Sequence, residues 1–401
     1  MTSIVLFVIA CGALRTGYAY LLALILLFFA GPMLRRKAIC CNFLLLRSFW
    51  LLLFGGVFYV MFGKSGLGGV QSYILLPLAA YAIGWNITED AGGAQQIKNR
   101  LLVIAFGFAA HAGLNLLINL GHSRYQLVDF WSGQFRAATG SGCLNTLIIA
   151  IAVYVIHIEK RKLVKAAYVI AAALCLLYMA TLGTRTQFLI LLIVCLCCGG
   201  VYAYERRGIT GLIWLAAVTA LIAAICFATY QLNLLSLRDY IDHSNLIRRY
   251  QEKTGLASSN SERFDMLVQG IRALFQYPLG GRTGTYYYHN MWLDANRVGG
   301  IFSSSALLLY SVSTWSSMWR IFRRRDRDPG LRYLLFEIYV AVMVNFMFEP
   351  VLEGMLDFYL VFCLINGMVD CLRRQYVSKG EGYDAVAREG IGAAEGICCH
   401  L

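Results

Sequence analysis

Long uninterrupted apolar runs recur along this chain of 401 residues, and they constrain its fold more than any other feature. Most of the runs are roughly 17 to 22 residues long, and short polar or basic clusters separate one run from the next. A helix of about 20 residues spans the hydrocarbon core of a bilayer, and a helix satisfies its own backbone hydrogen bonds there. With 59% hydrophobic and 14% charged residues, the chain is too apolar for an ordinary water-soluble protein.

The pattern predicts an all-α polytopic membrane protein of about twelve membrane-spanning helices. The spans are expected at residues 2–14, 17–33, 45–63, 68–85, 100–119, 141–158, 163–181, 186–204, 210–229, 300–319, 333–349 and 352–369. The first run lacks a basic start and a small-residue cleavage site, so we interpret it as a short span and not as a signal peptide.

Basic residues cluster in connections that fall on one side of the membrane in this arrangement. These clusters are Arg35–Lys37, Lys160–Lys162, Arg206 and Arg207, and Arg320–Arg327. An excess of Lys and Arg marks the cytoplasmic side, where both termini are then expected. The net charge of +13 is explained by this asymmetry, and no nucleic-acid partner is predicted. The thirteen cysteines avoid the large outer loop, so a disulfide framework is not expected.

The predicted organisation has four parts. Residues 1–229 carry nine spans, residues 230–299 form a large loop on the outer face, residues 300–370 carry three more spans, and residues 371–401 form a disordered polar tail. A loop of about 70 residues is too long for a simple connector and is expected to have helices of its own. Within it, residues 261–275 place apolar side chains at helical spacing.

The outer loop is rich in basic residues on the side where they are normally depleted. Its eight members are Arg238, Arg248, Arg249, Lys253, Arg263, Arg272, Arg282 and Arg297, and Arg136 lies in a shorter outer segment, residues 120–140. The planar guanidinium can hold two phosphate oxygens at once, so the group suits a phosphate or pyrophosphate ligand. For any single residue, a merely solvated surface remains an equally good interpretation.

Further candidates lie in the short outer turns. Arg185 stands in the turn TLGTRTQF between two spans, where it either meets an anionic group or extends to the membrane interface. His289, followed by Asn290, precedes the tenth span and could accept a proton from a hydroxyl, although a lone histidine is more often structural. Glu349 and Glu353 close the last helical pair, where they could pair with arginines, orient a base or bind sugar hydroxyls, and helix capping is an equally good interpretation for Glu353.

His111 lies inside an apolar run, and we expect it to make a buried polar contact between helices. The sequence contains no metal-ligand cluster, no phosphate-binding glycine loop and no nucleophile elbow. No cofactor is therefore predicted, and chemistry driven by a metal or a nucleotide lacks support.

Residues 140–369 resemble the O-antigen ligase and polymerase superfamily of integral membrane glycosyltransferases. The most specific element is His289 and Asn290 followed by Gly300, where Ser303 departs mildly from the family pattern. Arg185 in its short turn, Arg263 ahead of PLGG, and the acidic turn NFMFEP resemble further family elements. A polymerase pattern of arginine followed ten residues later by glycine has no match among the outer-loop arginines.

The resemblance implies a GT-C-like enzyme of the bacterial inner membrane with its active site facing the periplasm. The donor would be an oligosaccharide on undecaprenyl pyrophosphate, held by Arg185 and Arg263, while His289 activates the acceptor hydroxyl in a metal-independent, inverting transfer. Binding roles would fall to Asn290, Arg272, Arg282, Arg136, Glu349 and Glu353. A chain-length regulator, a flippase and membrane lipid are the partners that this implies.

Three functions remain open from the sequence. A polymerase would join lipid-linked repeat units of O-antigen, capsule or another exopolysaccharide, and a ligase would pass the finished glycan to lipid A-core or to protein. A transporter or flippase is the alternative from another class. Transporters tend to place charges at mid-membrane and to show repeated halves with broken helices, and neither feature is evident in the sequence.

Overall fold

The computed structural model describes residues 2–12, 42–62, 70–119, 127–136, 138–233, 256–324 and 328–376. These residues form an all-α protein with one small hairpin. The helices are α1 (Thr2–Ala10), α2 (Asn42–Phe62), α3 (Leu76–Glu89), α4 (Ala94–Ile118), α5 (Ala138–Ala150), α6 (Lys162–Leu182), α7 (Arg185–Arg207), α8 (Ile209–Gln231), α9 (Leu256–Gln276), α10 (Met291–Arg323), α11 (Pro329–Phe348), α12 (Val351–Gly354) and α13 (residues 356–376). Strands β1 (Leu127–Val128) and β2 (Phe135–Arg136) pair antiparallel.

Five of these helices, α4, α6, α7, α8 and α11, are long and apolar enough to cross a membrane. The protein is therefore membrane-embedded. Helices overlap eleven of the twelve predicted spans, while the span predicted at residues 17–33 lies outside the described residues. The number of actual crossings and the side of the large loop stay predictions.

Three boundaries differ from the sequence analysis. The predicted outer loop, residues 230–299, is helical at both ends, because α8 continues to Gln231 and α10 begins at Met291. The span predicted at residues 352–369 is divided at Met355 into α12 and α13. Helix α13 continues beyond residue 370 to residue 376, with Cys371 and Leu372 buried, so the first residues of the predicted tail are helical, and the rest of it lies outside the described residues. The loop helix predicted at residues 261–275 lies within α9 and is confirmed.

Helix α11 lies at the centre of the described bundle, where it contacts α4, α5, α7 and α10. Most of its side chains are buried. Helix α8 packs mainly on α7 and leaves nearly all of its apolar side chains exposed. Such exposure is expected for a helix whose surroundings are lipid and not water.

Charged groups are buried inside the bundle. Arg47 Nε of α2 lies 2.8 Å from Asp370 Oδ2 of α13, and the Tyr81 hydroxyl donates to the same oxygen at 3.0 Å. Glu337 of α11 is fully buried, and its carboxylate accepts a hydrogen bond from the backbone N–H of Tyr154 at 2.9 Å. Tyr154 opens a π-helical turn, Tyr154–Ile158. The interior therefore contains ionisable groups that were not predicted from the sequence.

Helix α10 breaks at Gly300, where the backbone has φ of 64° and ψ of −165°. The PLGG turn packs directly on this break, because the Ile301 N–H donates to the Pro278 carbonyl at 2.8 Å. A Cβ on Gly300 would stand 2.5 Å from that carbonyl oxygen, and one on Gly280 would stand 2.3 Å from the Gly300 nitrogen. Glycine is required at both positions, since φ is positive at each and a Cβ there would collide with backbone atoms.

Replacing Gly300 or Gly280 with alanine should destabilise the protein by about 2–4 kcal/mol, because each Cβ meets backbone atoms that cannot rotate away. Gly56→Ala is the matched control, because a Cβ on Gly56 meets nothing within 4 Å. Thermal unfolding in detergent, followed by size-exclusion chromatography, measures the effect. Equal midpoints for all three variants would contradict the close packing described here.

Glu159 forms a compact polar cluster between α5 and α6. Its carboxylate accepts hydrogen bonds from the Arg161 guanidinium at 2.8 and 3.0 Å and from the Tyr154 hydroxyl at 2.7 Å. The hydrogen bonds from Arg161 are the main cause that lowers the pKa of Glu159 to about 2, and they outweigh the opposing effect of burial.

Because the folded-state pKa of Glu159 lies below its ordinary value of 4.5, its stabilising contribution is present above pH 4.5 and is lost as the pH falls toward 2. Glu159→Gln should cost roughly 1–2 kcal/mol at pH 7, allowing for the partial exposure of Arg161. The difference in thermal midpoint from the wild type should shrink on acidification. Lys160→Gln, at an exposed neighbouring position, should show no such convergence.

Candidate functional site

Glu349 stands where α11 ends and is the centre of the candidate site. Pro350 follows it and cannot continue a helix, so the backbone turns extended at Glu349, with φ of −135° and ψ of 147°. The Glu349 N–H donates to the Asn345 carbonyl at 2.9 Å. Its side chain is 0% exposed, and a buried carboxylate requires donors or cations around it.

Three segments supply groups to this carboxylate. Arg263 Nη1 of α9 lies 3.7 Å from Oε1, and the same nitrogen donates to the Phe348 carbonyl at 3.2 Å. His289 Nδ1 lies 3.9 Å from Oε2, and Gln187 Nε2 of α7 donates to Oε1 at 3.4 Å. Arg263, His289 and Glu349, which the sequence analysis selected separately, are thus brought together.

The backbone of His289 is held in an unusual conformation, with φ of 53°. Its neighbours are both anchored, because the Tyr288 N–H donates to Asp294 Oδ1 at 2.7 Å and Asn290 Oδ1 accepts from the Leu293 N–H at 3.2 Å. Positive φ is uncommon outside glycine, and such strain concentrates at functional sites. The loop of residues 277–290, the site loop, thus fixes the direction of the imidazole.

His289 Nδ1 and Glu349 Oε2 are both buried and without a hydrogen-bond partner among the described residues. They lie 3.9 Å apart, so an approach of about 1 Å would form a hydrogen bond between them. The His289 side chain is 25% exposed, which leaves the imidazole ring accessible on its far side. This arrangement matches a base whose inner nitrogen faces a carboxylate.

Arg185 is the first residue of α7, directly after a tight turn in which Gly183 has φ of 67°. Its guanidinium makes no hydrogen bond or ion pair with the part of the chain that the structure describes. The side chain is partly exposed. Its position on α7 lies two residues before Gln187, which contacts Glu349, so the backbone of Arg185 starts close to the site.

The other predicted binding residues have varied surroundings. Asn290 caps α10, and its Nδ2 lies 3.5 Å from the Met347 carbonyl. Arg272 is exposed on α9. Arg282 stacks over the Tyr277 ring at 4.4 Å and donates to the Tyr288 hydroxyl at 3.1 Å. Arg136 has its backbone in β2, but its side chain lies outside the described residues, as do Arg238, Arg248, Arg249 and Lys253.

Glu353 and Arg297 form a buried ion pair beneath the site loop. Arg297 also donates to the backbone carbonyls of Arg282 at 2.8 Å and Thr285 at 3.2 Å. Burial raises the pKa of the nearby Asp294 to about 6, although Arg297 and His289 oppose the shift. Pairing with an arginine of the loop was one of the alternatives expected for Glu353, and this ion pair corresponds to it. Binding of sugar by Glu353 and of an anionic ligand by Arg297 stay predictions.

His111 is buried and makes polar contacts, as expected. Its Nε2 lies 2.7 Å from Asp129 Oδ1, which belongs to the turn between β1 and β2 and not to a helix. The Trp131 indole in the same turn donates to the Cys11 carbonyl at 2.8 Å. These contacts fasten the hairpin to α4 and to the end of α1. Among the described residues, no group of His, Cys, Asp and Glu could hold a metal ion.

Gln187 and Asp294 were not predicted from the sequence. The sequence pointed to Gln187 only as a polar residue two positions after Arg185, in the turn TLGTRTQF. Asp294 appears as an ordinary acidic residue in the first turn of a helix.

No protein-family model matches the chain, and no curated protein matches it.

Glu353→Ala should destabilise the protein by roughly 3–5 kcal/mol, because it leaves the buried guanidinium of Arg297 without its anion. Arg272→Ala, at an exposed position on α9, should leave the thermal midpoint unchanged. Thermal unfolding of the two purified variants in the same detergent measures both effects. Similar midpoints for Glu353→Ala and the wild type would argue against the structural role of Glu353.

Proposed function

We propose that the protein is a membrane glycosyltransferase that polymerises a bacterial surface polysaccharide. It transfers glycan from undecaprenyl pyrophosphate to a lipid-linked repeat unit at the periplasmic face of the inner membrane, without a metal and with inversion. The family resemblance supplies the reaction class. The observation that carries the proposal is the convergence of Arg263 and His289 on the buried carboxylate of Glu349.

His289 is suited to act as the general base in this reaction. Glu349 faces the inner nitrogen of the imidazole, so it can orient the ring and stabilise the imidazolium that forms. The acceptor hydroxyl gives its proton to His289 as its oxygen bonds to the anomeric carbon of the donor. The bond from that carbon to the pyrophosphate oxygen breaks, and undecaprenyl pyrophosphate leaves.

Arg263 is suited to hold the pyrophosphate. Its contact with Glu349 is long, 3.7 Å, and its side chain is 34% exposed, so most of its five N–H donors remain available to a ligand. Charge grows on the pyrophosphate as the bond breaks, and a fixed cation stabilises it. Arg185 adds a second guanidinium at the start of α7, where the helix dipole also favours an anion.

A transporter is the second candidate, because the bundle interior contains the Arg47–Asp370 pair and the buried Glu337. Ionisable residues inside a membrane protein often mark a path for ions or solutes. The two functions predict that substitutions at different residues impair the protein. In a transporter, substitutions at Glu337 or Asp370 would change solute movement, and substitutions at His289 would not.

Reconstituted wild-type protein should elongate a purified lipid-linked repeat unit in the presence of a chelator. Arg263→Ala, His289→Ala and Glu349→Ala should each lower the rate by at least about 100-fold, because each removes a group from the reacting centre. Polymer length on gels measures the product. Asp265→Asn, at an exposed position on α9, is the control that keeps the wild-type rate.

The same assay tests Arg185 against Arg207, which lies at the other end of α7, about 33 Å away along the helix. Arg185→Ala should slow elongation, and Arg207→Ala should not.

A deletion strain distinguishes polymerase from ligase. Single-unit surface glycans indicate a polymerase, whereas long chains left on the carrier lipid indicate a ligase, and unchanged glycans with altered solute movement would overturn both.

A further inference from the structure

Gln187 occupies a closely fitted position between three elements of the bundle. Its side chain is 0% exposed on α7, and its Nε2 lies 3.4 Å from Glu349 Oε1 and 3.4 Å from the Cys143 sulfur of α5. A Cβ on Gly142 would stand 2.5 Å from Gln187 Cγ. The space for the glutamine side chain therefore exists only because residue 142 is glycine.

The direction of the Gln187 amide follows from its partner. An ionised carboxylate only accepts hydrogen bonds, so the NH₂ group and not the carbonyl must face Glu349. The Gln187 Oε1 is then left buried without a partner among the described residues. An unsatisfied buried carbonyl is costly, and an apolar side chain of the same size would avoid that cost. The amide is therefore not explained by packing alone.

We propose that Gln187 is a positioning residue, which holds the Glu349 carboxylate with Oε1 toward α7 and Oε2 toward His289. Through Gln187 the start of α7, with Arg185 on it, is fixed relative to the same carboxylate. The inference rests on the proposed function, because Gln187 would align the base His289 and the cation Arg185 for that reaction.

The groups that face Glu349 come from each element packed against it. They are Arg263 of α9, His289 of the loop before α10, Cys143 of α5 and Gln187 of α7. Arg263 and Gln187 both approach Oε1, but only Gln187 donates a hydrogen bond to it, while Arg263 lies 3.7 Å away. Without Gln187 the carboxylate loses that hydrogen bond and can rotate away from the direction that Oε2 has toward His289.

Gln187→Met tests the proposal, since methionine keeps the length of the side chain and removes the donor. The kcat should fall at least tenfold, because the carboxylate no longer directs the imidazole, while the KM for the lipid-linked donor should change less than kcat. Ile190→Val, at a buried apolar position on the same helix, is the control and should keep the wild-type kcat and KM.

A fall in kcat that only follows the loss of folded protein, with a lowered thermal midpoint, would mean that Gln187 only packs, and it would overturn the inference. A kcat and a KM identical to those of the wild type would overturn it as well. Either result leaves the proposed function standing, provided that the wild type elongates the lipid-linked repeat unit.

A double-mutant cycle gives a readout that does not depend on the reaction. Thermal stability is measured for Gln187→Met, Glu349→Gln and the double variant. Non-additive effects support a direct interaction between the two side chains, and additive effects overturn it. If the wild type transfers no glycan, the proposed function fails, and the catalytic role of Gln187 fails with it even where the cycle shows coupling.

Discussion

The enclosed carboxylate of Glu349 is the constraint on which the candidate site depends. A carboxylate with no exposed surface cannot be left without donors, and the bundle supplies them from segments far apart in the chain. Arg263, His289 and Gln187 belong to separate elements, yet each approaches this one group. The ends of α7 and α11, the loop helix α9 and the loop before α10 are therefore fixed relative to one another by electrostatics as well as by packing.

Most of the helical architecture was predictable from hydropathy, because a long apolar run in lipid has few alternatives to a helix. The interior charges were not predictable. Arg47 and Asp370 are separated by 323 positions, so no local pattern links them. Only the fold shows that they pair. The division at Met355 was not predicted either, although Glu353, Gly354 and Asp357 interrupt the apolar run around it.

The candidate site was partly predictable. Its positions came from residue types in the outer turns and from a motif, which led to Arg263, His289 and Glu349. Arg297 and Glu353 were also treated as available to a ligand, although they are paired and buried. Gln187 was not predicted, because it is uncharged and its contact is with Glu349, 162 positions away in the chain. Charge marks candidates in a sequence, but burial and partners decide which of them can meet a ligand.

Arg297 binds the site loop through the backbone carbonyls of Arg282 and Thr285, and its guanidinium also lies 5.5 Å from the centre of the Tyr287 ring. Every residue type offers a carbonyl, so the two backbone contacts do not depend on which side chains the loop carries. Tyr286, beside Tyr287, is 87% exposed. Natural or engineered changes at Tyr286 can therefore alter the rim that a bulky ligand would meet while the anchoring of the loop by Arg297 is retained.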